Sequence, residues 1–446
     1  MASMSFNTNL EEVSQGVITQ AKKLGCSDVS VVVTRNHTRL IRFANNLVTL
    51  SSSVVDTSIQ VYVAHQTRRA VGVTHDTSPQ SLERFVARLV DSASRLAPSD
   101  DYVPLPSGPF EYPEEQNYDK RLEGEELVEH AHQAVDAALK AGAKRVAGSL
   151  QSLVRRVHVS TSAGVAGDDS STKILLNVRA FTEDNASGHG LSCASFLSEF
   201  NPEKAGRAAG EYAKMAESPR QLEAGAYDVI FTPTVVANIL PLAEAASAYL
   251  IQSGLSYFSD QLNQQVGVET LNVWDYGVYK GGLGGRRLDD EGVPTQKTEI
   301  IAKGVFRNML HNSSTAKKFG TKTTGNAGII SPQPNTVVFG EGDSTLEEMI
   351  QETKKGLLVT NNWYTRFQNL RTGEYSTLPR DAAFSVVDGK IGEPVAGFRL
   401  SDSVLRQLKS IHLISKTRNW VEWWEVETPT LAPYMLIKDV TATVAY

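Results

Sequence analysis

The stretch GGLGGRRLDDEGVPTQKTEIIAKGVFRNMLHNSSTAKKFGTKTTGNAG, residues 281–328, is the most informative part of this chain. Its first fifteen residues contain five glycines, two arginines and three consecutive acids, Asp289, Asp290 and Glu291. Three structures fit such a composition: a divalent-cation site, a phosphate-binding loop, or a turn whose charges neutralise one another.

The spacing of these residues favours the turn. Three adjacent acids in an extended strand cannot all face one cation, and a calcium loop spaces its ligands along the chain. A phosphate loop needs a preceding strand, a following helix and usually a Lys-Ser or Lys-Thr pair. Here the glycines lead into Arg-Arg-Leu-Asp-Asp and then Val-Pro. We therefore interpret the acids as a solvated turn that Arg286 and Arg287 neutralise.

The composition is that of a soluble globular protein with two or three domains. The chain has 446 residues, of which 41% are hydrophobic and 21% charged, and its net charge is -6. An acidic chain gives no support to general nucleic-acid binding. The longest apolar run, 235–251, is interrupted by Asn238, Pro241 and Glu244 and is short for a bilayer span of about 20 residues. We predict no nucleic-acid or membrane partner.

The reactive residue types do not assemble a site by their spacing. Two cysteines, Cys26 and Cys193, are too few for a disulfide framework or a cysteine-rich zinc site. Of nine histidines only His130 and His132 lie close together, and their spacing puts them on different faces of a helix. Residues 1–12, MASMSFNTNLEE, lack the basic start and apolar core of a signal peptide. We therefore predict a cytoplasmic location.

The first half of the chain is predicted to contain two similar units, each with a meander of strands followed by a helix. In the first unit, β-branched runs predict strands at 29–34, 38–43, 47–52, 58–63 and 69–74, followed by a helix that Pro79 opens. A similar order returns from residue 154, and the turn at Ala163-Gly164 matches the turn at Asn45-Asn46. The two meander-plus-helix units span about 27–97 and 146–217, with a linker and a helix between them.

This pattern predicts an α+β protein, because strands and helices do not alternate regularly enough for a doubly wound sheet. We place an N-terminal α+β domain at 1–222. The remainder, 223–446, is predicted to be a mixed, β-rich C-terminal domain with one long apolar helix over 235–251, broken or entered at Pro241.

Several blocks of the chain resemble the TldD/PmbA (TldE) family of metallopeptidase-related proteins, from about residue 27 to residue 445. In the N-terminal half these blocks are the meander with FANNLVTL and the helix with DSASRLAP. In the C-terminal half they are DDEGVPT, GVFRNML from Gly304, Ala316 before Gly320, Thr324-Gly325-Asn326, RTGEYS at 371–376 and VVDGKIGEPVAGFRLSDSVLRQL at 386–408.

The resemblance implies a choice between two branches of that family. In the TldD branch, a His-Glu-x-x-x-His motif on the long helix and a cysteine near the C-terminus hold zinc. The corresponding window in this chain is 241–246, PLAEAA, which contains no histidine, and no cysteine follows Cys193. The chain is therefore identified as similar to the PmbA/TldE branch, with no metal or cofactor of its own. Without a metal to serve, Glu244 is expected on a helix surface or interface, paired with a cation.

The resemblance also implies a function. A PmbA/TldE-like chain would be the zinc-less subunit of a heterodimer with a TldD-like His-Glu-x-x-x-His metallopeptidase, which would hold the zinc. The pair would cleave unfolded or small peptides or peptide precursors, and this chain would close the proteolytic chamber and help to bind the substrate. No residue of this chain is expected to be catalytic. The candidates for contact with substrate or partner are Asp289, Asp290, Glu291, Gly292, Thr324, Gly325 and Asn326.

Two alternatives stay open at this point. The chain could form a homodimer that binds peptides without cutting them, or acts as a chaperone-like shell. It could instead be an independent hydrolase with an unusual site, with a metal at the three acids or at His311. Metal analysis and peptide cleavage by the purified chain separate the second alternative from the others.

Overall fold

The structure is a computed structural model that describes residues 9–184, 186–328 and 330–444. Most of the amino-terminal segment used for the signal-peptide prediction, residues 1–8, lies outside the described residues. The end of the family resemblance at residue 445 does so too.

The described helices each begin after a polar residue or a proline. They are α1 Leu10–Lys23, α2 Pro79–Arg95, α3 Leu127–Lys140, α4 Pro202–Met215, α5 Pro233–Ile239, α6 Leu242–Ala245, α7 Ala248–Gln252, α8 Ser313–Lys318, α9 Leu346–Glu352 and α10 Val404–Lys409, with 3₁₀ turns at Lys120–Glu123 and Leu197–Glu199.

The strands fall into two large sheets and one short pair. They are β1 Asp28–Ala44, β2 Leu47–His65, β3 Arg68–Thr74, β4 Arg145–Thr161, β5 Ala166–Phe181, β6 Ser187–Ala194, β7 Arg220–Gln221, β8 Gly225–Phe231, β9 Val273–Tyr276, β10 Lys297–Ala302, β11 Val305–Phe306, β12 Ala327–Gly328, β13 Ser331–Pro332, β14 Val337–Phe339, β15 Lys355–Val359, β16 Asn362–Asn369, β17 Glu374–Pro379, β18 Ala383–Val387, β19 Lys390–Ala396, β20 Phe398–Ser403, β21 Ile411–Trp423 and β22 Val426–Val444.

The first sheet is antiparallel, with the order β3-β2-β1-β4-β5-β6 among the described residues. Each half contains a helix, three strands and a second helix in the same chain order, and β1 pairs with β4 along the middle. Gly72 on β3 and Gly190 on β6 both let a helix approach closely. A Cβ at Gly72 would lie 2.9 Å from the ring of Phe85, and one at Gly190 would overlap the carbonyl oxygen of Ala205.

The prediction of separate strands at 29–34 and 38–43 is wrong, as is the break between 47–52 and 58–63. β1 and β2 run through the polar residues that suggested the interruptions. Arg35, for example, lies opposite Thr57 on β2 and Arg156 on β4. Because both neighbours continue the hydrogen-bonded ladder, the polar segment remains extended despite its broken apolar pattern.

The second sheet is mixed, and with its helices it gives the α+β, β-rich architecture that the sequence predicts. Its main path is β11-β10-β9-β14-β22-β8-β15-β18-β19-β7, with β16, β17, β20 and β21 joined to it through β22. The pairs β14–β22, β15–β8 and β19–β7 are parallel. The core beneath it includes Phe258 and Phe306, whose rings stack with centroids 4.3 Å apart. The predicted boundary at residue 222 lies between β7 and β8, and the division into two domains stays a prediction.

The long apolar helix predicted over 235–251 is wrong, because this segment folds as the three short helices α5, α6 and α7. Leu240 leaves the helical region at φ -118° and ψ 65°, as expected for a residue that precedes a proline. Ser247 is also non-helical, at ψ 119°. The backbone groups freed there bond to Leu310, whose N–H donates to Ala246 O at 2.9 Å and whose carbonyl accepts from Ala248 N at 3.0 Å. Within the described residues, no helix has the length and apolar character needed to cross a membrane.

Candidate functional site

The buried carboxyl group of Asp289 stabilises the acidic turn by accepting hydrogen bonds from backbone N–H groups. Its Oδ1 accepts hydrogen bonds from the N–H groups of Glu291 at 3.0 Å and Val293 at 2.9 Å, and its Oδ2 accepts one from Ala327 N at 2.9 Å. The side chain is buried, and burial together with the nearby Glu291 carboxylate raises the pKa of Asp289 well above its ordinary value. The three N–H donors fix the conformation of the turn, so this carboxyl group is primarily structural.

Asp290 ties the turn to the first sheet. Arg286 Nη2 lies 2.5 Å from Asp290 Oδ1, and Gln60 Nε2 on β2 donates to Oδ2 at 2.9 Å. The Ser30 hydroxyl on β1 donates to the Asp290 carbonyl at 2.6 Å. The backbone N–H donates to Ala327 O at 3.0 Å. Residues from both halves of the chain therefore meet at this one aspartate.

Glu291 receives two donors from the first residue of α8. Its Oε2 accepts from Ser313 N at 3.1 Å and from the Ser313 hydroxyl at 2.5 Å. These hydrogen bonds favour the carboxylate, but burial outweighs them and raises the pKa of Glu291 to about 7. The group is thus poised to change its charge near neutral pH.

The interpretation of the three acids as a solvated turn is wrong, because all three are buried at a junction between the two sheets. The prediction that both arginines neutralise them holds only for Arg286. Arg287 instead donates to backbone carbonyls, to Pro113 O at 2.6 Å and to Asp168 O at 3.3 Å. Charge pattern alone predicted exposure, whereas the partners that bury the acids come from distant parts of the chain.

Two of the candidate glycines lie at positions that a side chain would disturb. Gly292 has φ +77°, and a Cβ there would lie 2.6 Å from Val165 Cγ1. Gly325 has φ +69°, and a Cβ would overlap the carbonyl oxygen of Pro294. Positive φ and close packing together make these glycines part of the junction's framework.

Thr324 and Asn326 belong to a second buried network next to the turn. The Thr324 hydroxyl lies 2.7 Å from Asn326 Oδ1 and accepts from His311 N at 2.8 Å. Asn326 Nδ2 donates to Asp275 Oδ2 at 2.6 Å and to Gln333 O at 2.9 Å. The network fixes the segment that carries Ala327, the donor to Asp289.

Asp275 is a central residue that the sequence analysis missed. It lies on β9 and also accepts from Asn335 N at 2.7 Å and from Thr336 N at 3.2 Å. It is fully buried, and burial raises its pKa to about 6 despite these donors. A single aspartate in the short strand VWDY gave no signal, because its partners follow it by more than fifty residues.

A cleft of about 270 Å³ lies between the first sheet and these networks. Of the predicted candidates, Asp289 and Asn326 line it, whereas Asp290, Glu291, Gly292, Thr324 and Gly325 support its wall from behind. The sequence analysis missed the residues that β4 and β5 contribute, among them Arg155 and Lys173. A single arginine or lysine within a predicted strand does not reveal from the sequence that its side chain faces the second sheet.

The window 241–246 does not fit a zinc site. Its only side chain with a metal-binding atom is Glu244, which is half-buried beside Thr428 and Tyr257 and whose pKa is raised by burial. The predicted cation partner is wrong, because no residue that the structure describes forms an ion pair with Glu244, and its hydrogen bond comes from Thr428. Across 9–184, 186–328 and 330–444, no group of three or more His, Cys, Asp or Glu residues could hold a metal ion.

Comparison with known proteins gives the family. Sequence models described as PmbA/TldA metallopeptidase domain 1, central domain and C-terminal domain match residues 29–93, 112–217 and 224–444. This chain belongs to the PmbA/TldD metallopeptidase family. Together the three matches span most of its length.

Relatives come from both branches of the family. The metalloprotease PmbA of Escherichia coli O157:H7 is 26% identical over 392 residues, which cover 84% of this chain and 85% of that relative. The metalloprotease TldD homolog of Haemophilus influenzae is 23% identical over 317 residues, 67% of this chain and 64% of that relative. The crystal structure of TldE from Thermococcus kodakarensis has a TM-score of 0.83 at 18% identity, covers 97% of this chain and all of its own, and shows the shared fold.

Replacing Glu291 with glutamine should flatten the pH dependence of stability between pH 5 and 8. The pKa of Glu291 is about 7 in the folded chain and has its ordinary value of 4.5 when unfolded. Stability from this group is therefore fully present below about pH 4.5 and is lost as pH rises through about 7, on the order of 2 kcal/mol. Glutamine keeps the acceptor for Ser313 without a titrating charge. Urea unfolding across this pH range measures the effect.

The matched control for this experiment is Glu393→Gln. Glu393 is exposed and pairs with Arg220 on the surface, so its replacement should leave the pH profile unchanged. The difference between variant and wild type is the quantity to compare. His189 and His311 have pKa values lowered to about 4 by burial and lose stability in the opposite direction, as pH falls below 6.5. Parallel profiles for Glu291→Gln and wild type would contradict the assignment.

Proposed function

We propose that this chain is the zinc-less subunit of a heterodimeric metallopeptidase, paired with a TldD-like subunit that carries His-Glu-x-x-x-His and holds the zinc. The observation that carries the proposal is the window 241–246, PLAEAA. It offers no histidine, and Pro241 and the two helix breaks around α6 replace the continuous helix that such a motif needs. Family membership supports the link to peptide hydrolysis.

In this proposal the chemistry belongs to the partner, where zinc activates water and the motif glutamate serves as general base. This chain closes the chamber and helps to bind the peptide. The buried turn and the Asn326 network support that role, because they fix the two sheets against each other around a polar cleft. The substrate class is unfolded or small peptides and peptide precursors, and the location is the cytoplasm.

Co-expression tests this proposal directly. The chain is produced alone and together with the His-Glu-x-x-x-His protein from the same genome, and each sample is assayed by light scattering, zinc analysis and cleavage of an unfolded peptide. We expect no cleavage by the chain alone, and a 1:1 complex that contains zinc and cleaves the peptide. A complex whose partner has its motif glutamate replaced by glutamine is the control and should be inactive.

The alternatives give different results in the same experiment. A homodimer that ignores the second protein would contradict the proposal and favour the non-catalytic peptide-binding or chaperone-like alternative. Zinc and cleavage with the chain alone would contradict it in favour of an independent hydrolase.

A further inference from the structure

Arg155 is a cation in this cleft that forms no hydrogen bond or ion pair with the residues that the structure describes. It lies on β4 and lines the cleft together with Arg286, Lys173 and Asp289. Its Nε is sealed from solvent and donates to no partner in the described chain. The remaining guanidinium nitrogens form no hydrogen bond with the residues that the structure describes, but unlike Nε they are not sealed off, so they face the open space of the cleft.

Three other charged groups of the cleft already have partners. Arg286 pairs with Asp290, and Lys173 pairs with Glu422 on β21. The Asp289 carboxyl group accepts hydrogen bonds from three backbone N–H groups, two in its own turn and one at Ala327. Glu427 also lines the cleft, but it forms no hydrogen bond or ion pair with Arg155 in the described chain.

The acids with an electrostatic effect on Arg155 form no hydrogen bond with it in the described chain. Asp169 and Asp290 attract the guanidinium group, while Arg286 repels it, and burial lowers its pKa to about 10. Burial raises the pKa of Asp169 itself to about 6, so this acid is mostly negative at neutral pH, but it forms no hydrogen bond with Arg155 in the described chain. Burial of a cation that lacks a hydrogen-bonded anion is unfavourable unless a ligand supplies one.

Two other partly buried arginines of the same sheet have hydrogen-bond or ion-pair partners within the chain. Arg39 on β1 donates to the carbonyls of Leu122 and Glu125. Arg179 on β5 pairs with the buried Asp381 at 2.5 Å. Arg39 and Arg179 thus have partners within the chain, whereas Arg155 opens onto the cleft.

We propose that Arg155 is the anchor of a peptide-carboxylate site in this cleft. A guanidinium group binds a carboxylate through two parallel N–H donors, and the mainly polar lining, including Ser171, Asn326 and Asn335, suits the flanking peptide groups. A volume of about 270 Å³ accommodates the end of a peptide or one acidic side chain, not a folded protein. The peptide part of this assignment rests on the proposed function, whereas the anion site rests on the cleft alone.

Binding to the full-length chain without any partner tests the site. The probes are acetyl-tetra-alanine with a free carboxylate, the same peptide as its amide, an amide peptide with glutamate at the third position, and inorganic phosphate, each titrated by calorimetry. We expect the free acid, the glutamate peptide, or both to bind at least about tenfold more tightly than the plain amide. The free acid would identify the C-terminal carboxylate as the source, and the glutamate peptide an acidic side chain.

Arg155→Gln and Arg156→Gln form a matched pair of variants. Neighbouring residues of a strand face opposite sides, and Arg156 is exposed and pairs with Glu123 away from the cleft. Arg155→Gln should remove the preference for the carboxylate, and Arg156→Gln should retain it. The melting temperature of Arg155→Gln should be unchanged or higher, since an unpaired cation is lost, whereas a purely structural arginine would lower it.

Three outcomes would overturn the inference: equal affinity for acid and amide, equal loss in both variants, or binding of phosphate alone. Because no partner protein takes part, these outcomes do not depend on whether the heterodimer forms. Failure of the carboxylate site and failure of the proposed function can therefore be told apart.

Discussion

Replacing Asn326 with aspartate should destabilise the folded chain by on the order of 3–5 kcal/mol at pH 7.5. The Asn326 amide donates to the fully buried Asp275 carboxylate at 2.6 Å and to the Gln333 carbonyl at 2.9 Å. Aspartate would replace this donor by a second carboxylate and leave both acceptors facing an oxygen. Guanidinium unfolding followed by tryptophan fluorescence measures the loss.

The loss should shrink as pH falls. The pKa of Asp275 is already raised to about 6, and a second carboxylate would raise it further, so one proton shared by the pair would restore a donor near pH 5. The double variant Asp275→Asn with Asn326→Asp again contains one amide and one carboxyl group, and it should recover part of the stability. A variant as stable as wild type at both pH values would contradict the network.

The second large effect is expected for Gly325→Ala. This residue has φ +69°, and an added Cβ would overlap the Pro294 carbonyl oxygen and lie 2.7 Å from Thr295 Cα. Both contacts are with backbone, which cannot rotate away. We expect a loss of about 3–4 kcal/mol in unfolding free energy, the sum of the left-handed conformation and the steric conflict.

Gly284→Ala is the matched control for the part of this loss in unfolding free energy that comes from the left-handed conformation. Gly284 has nearly the same φ, +71°, but nothing lies within 4 Å of its added Cβ. Its replacement should therefore cost only about 1 kcal/mol. Chemical denaturation of both variants gives the comparison, and equal losses would show that the chain does not approach Gly325 as closely as described.

The family and the fold class could be predicted from the sequence because they depend on local patterns. Turn residues such as Asn45 and Asn46, which adopt φ values of +50° and +68°, mark the end of β1. Pro79 opens α2 at the predicted position, and Pro202 opens α4 in the same way. These signals depend on only a few neighbouring residues, so they can be recognised without knowledge of the tertiary structure.

The errors arose where distant residues determine the local structure. The break of the apolar helix at Ser247 depends on a backbone pairing with Leu310. The burial of the three acids depends on Ser30, Gln60 and Ser313, which lie far from the turn in sequence. No pattern within residues 289–291 contains this information, and a charged triplet is ordinarily exposed.

The candidate residues lie close together in the structure, and their role as contacts to substrate or partner stays a prediction. The stretches 289–292 and 324–326 do come together, since Ala327 N donates to Asp289 and Ala327 O accepts from Asp290 N. Most of them support the cleft from behind. Arg155 was not predicted, because its significance depends on the absence of a hydrogen-bond partner in the described chain, which only the structure reveals.

The most direct test of the partner-subunit proposal is to purify the full chain from its native cells by an affinity tag and to identify by mass spectrometry what accompanies it. The account predicts a stoichiometric second protein with a His-Glu-x-x-x-His motif and zinc bound to the pair. Recovery of this chain only with copies of itself would contradict the partner-subunit function.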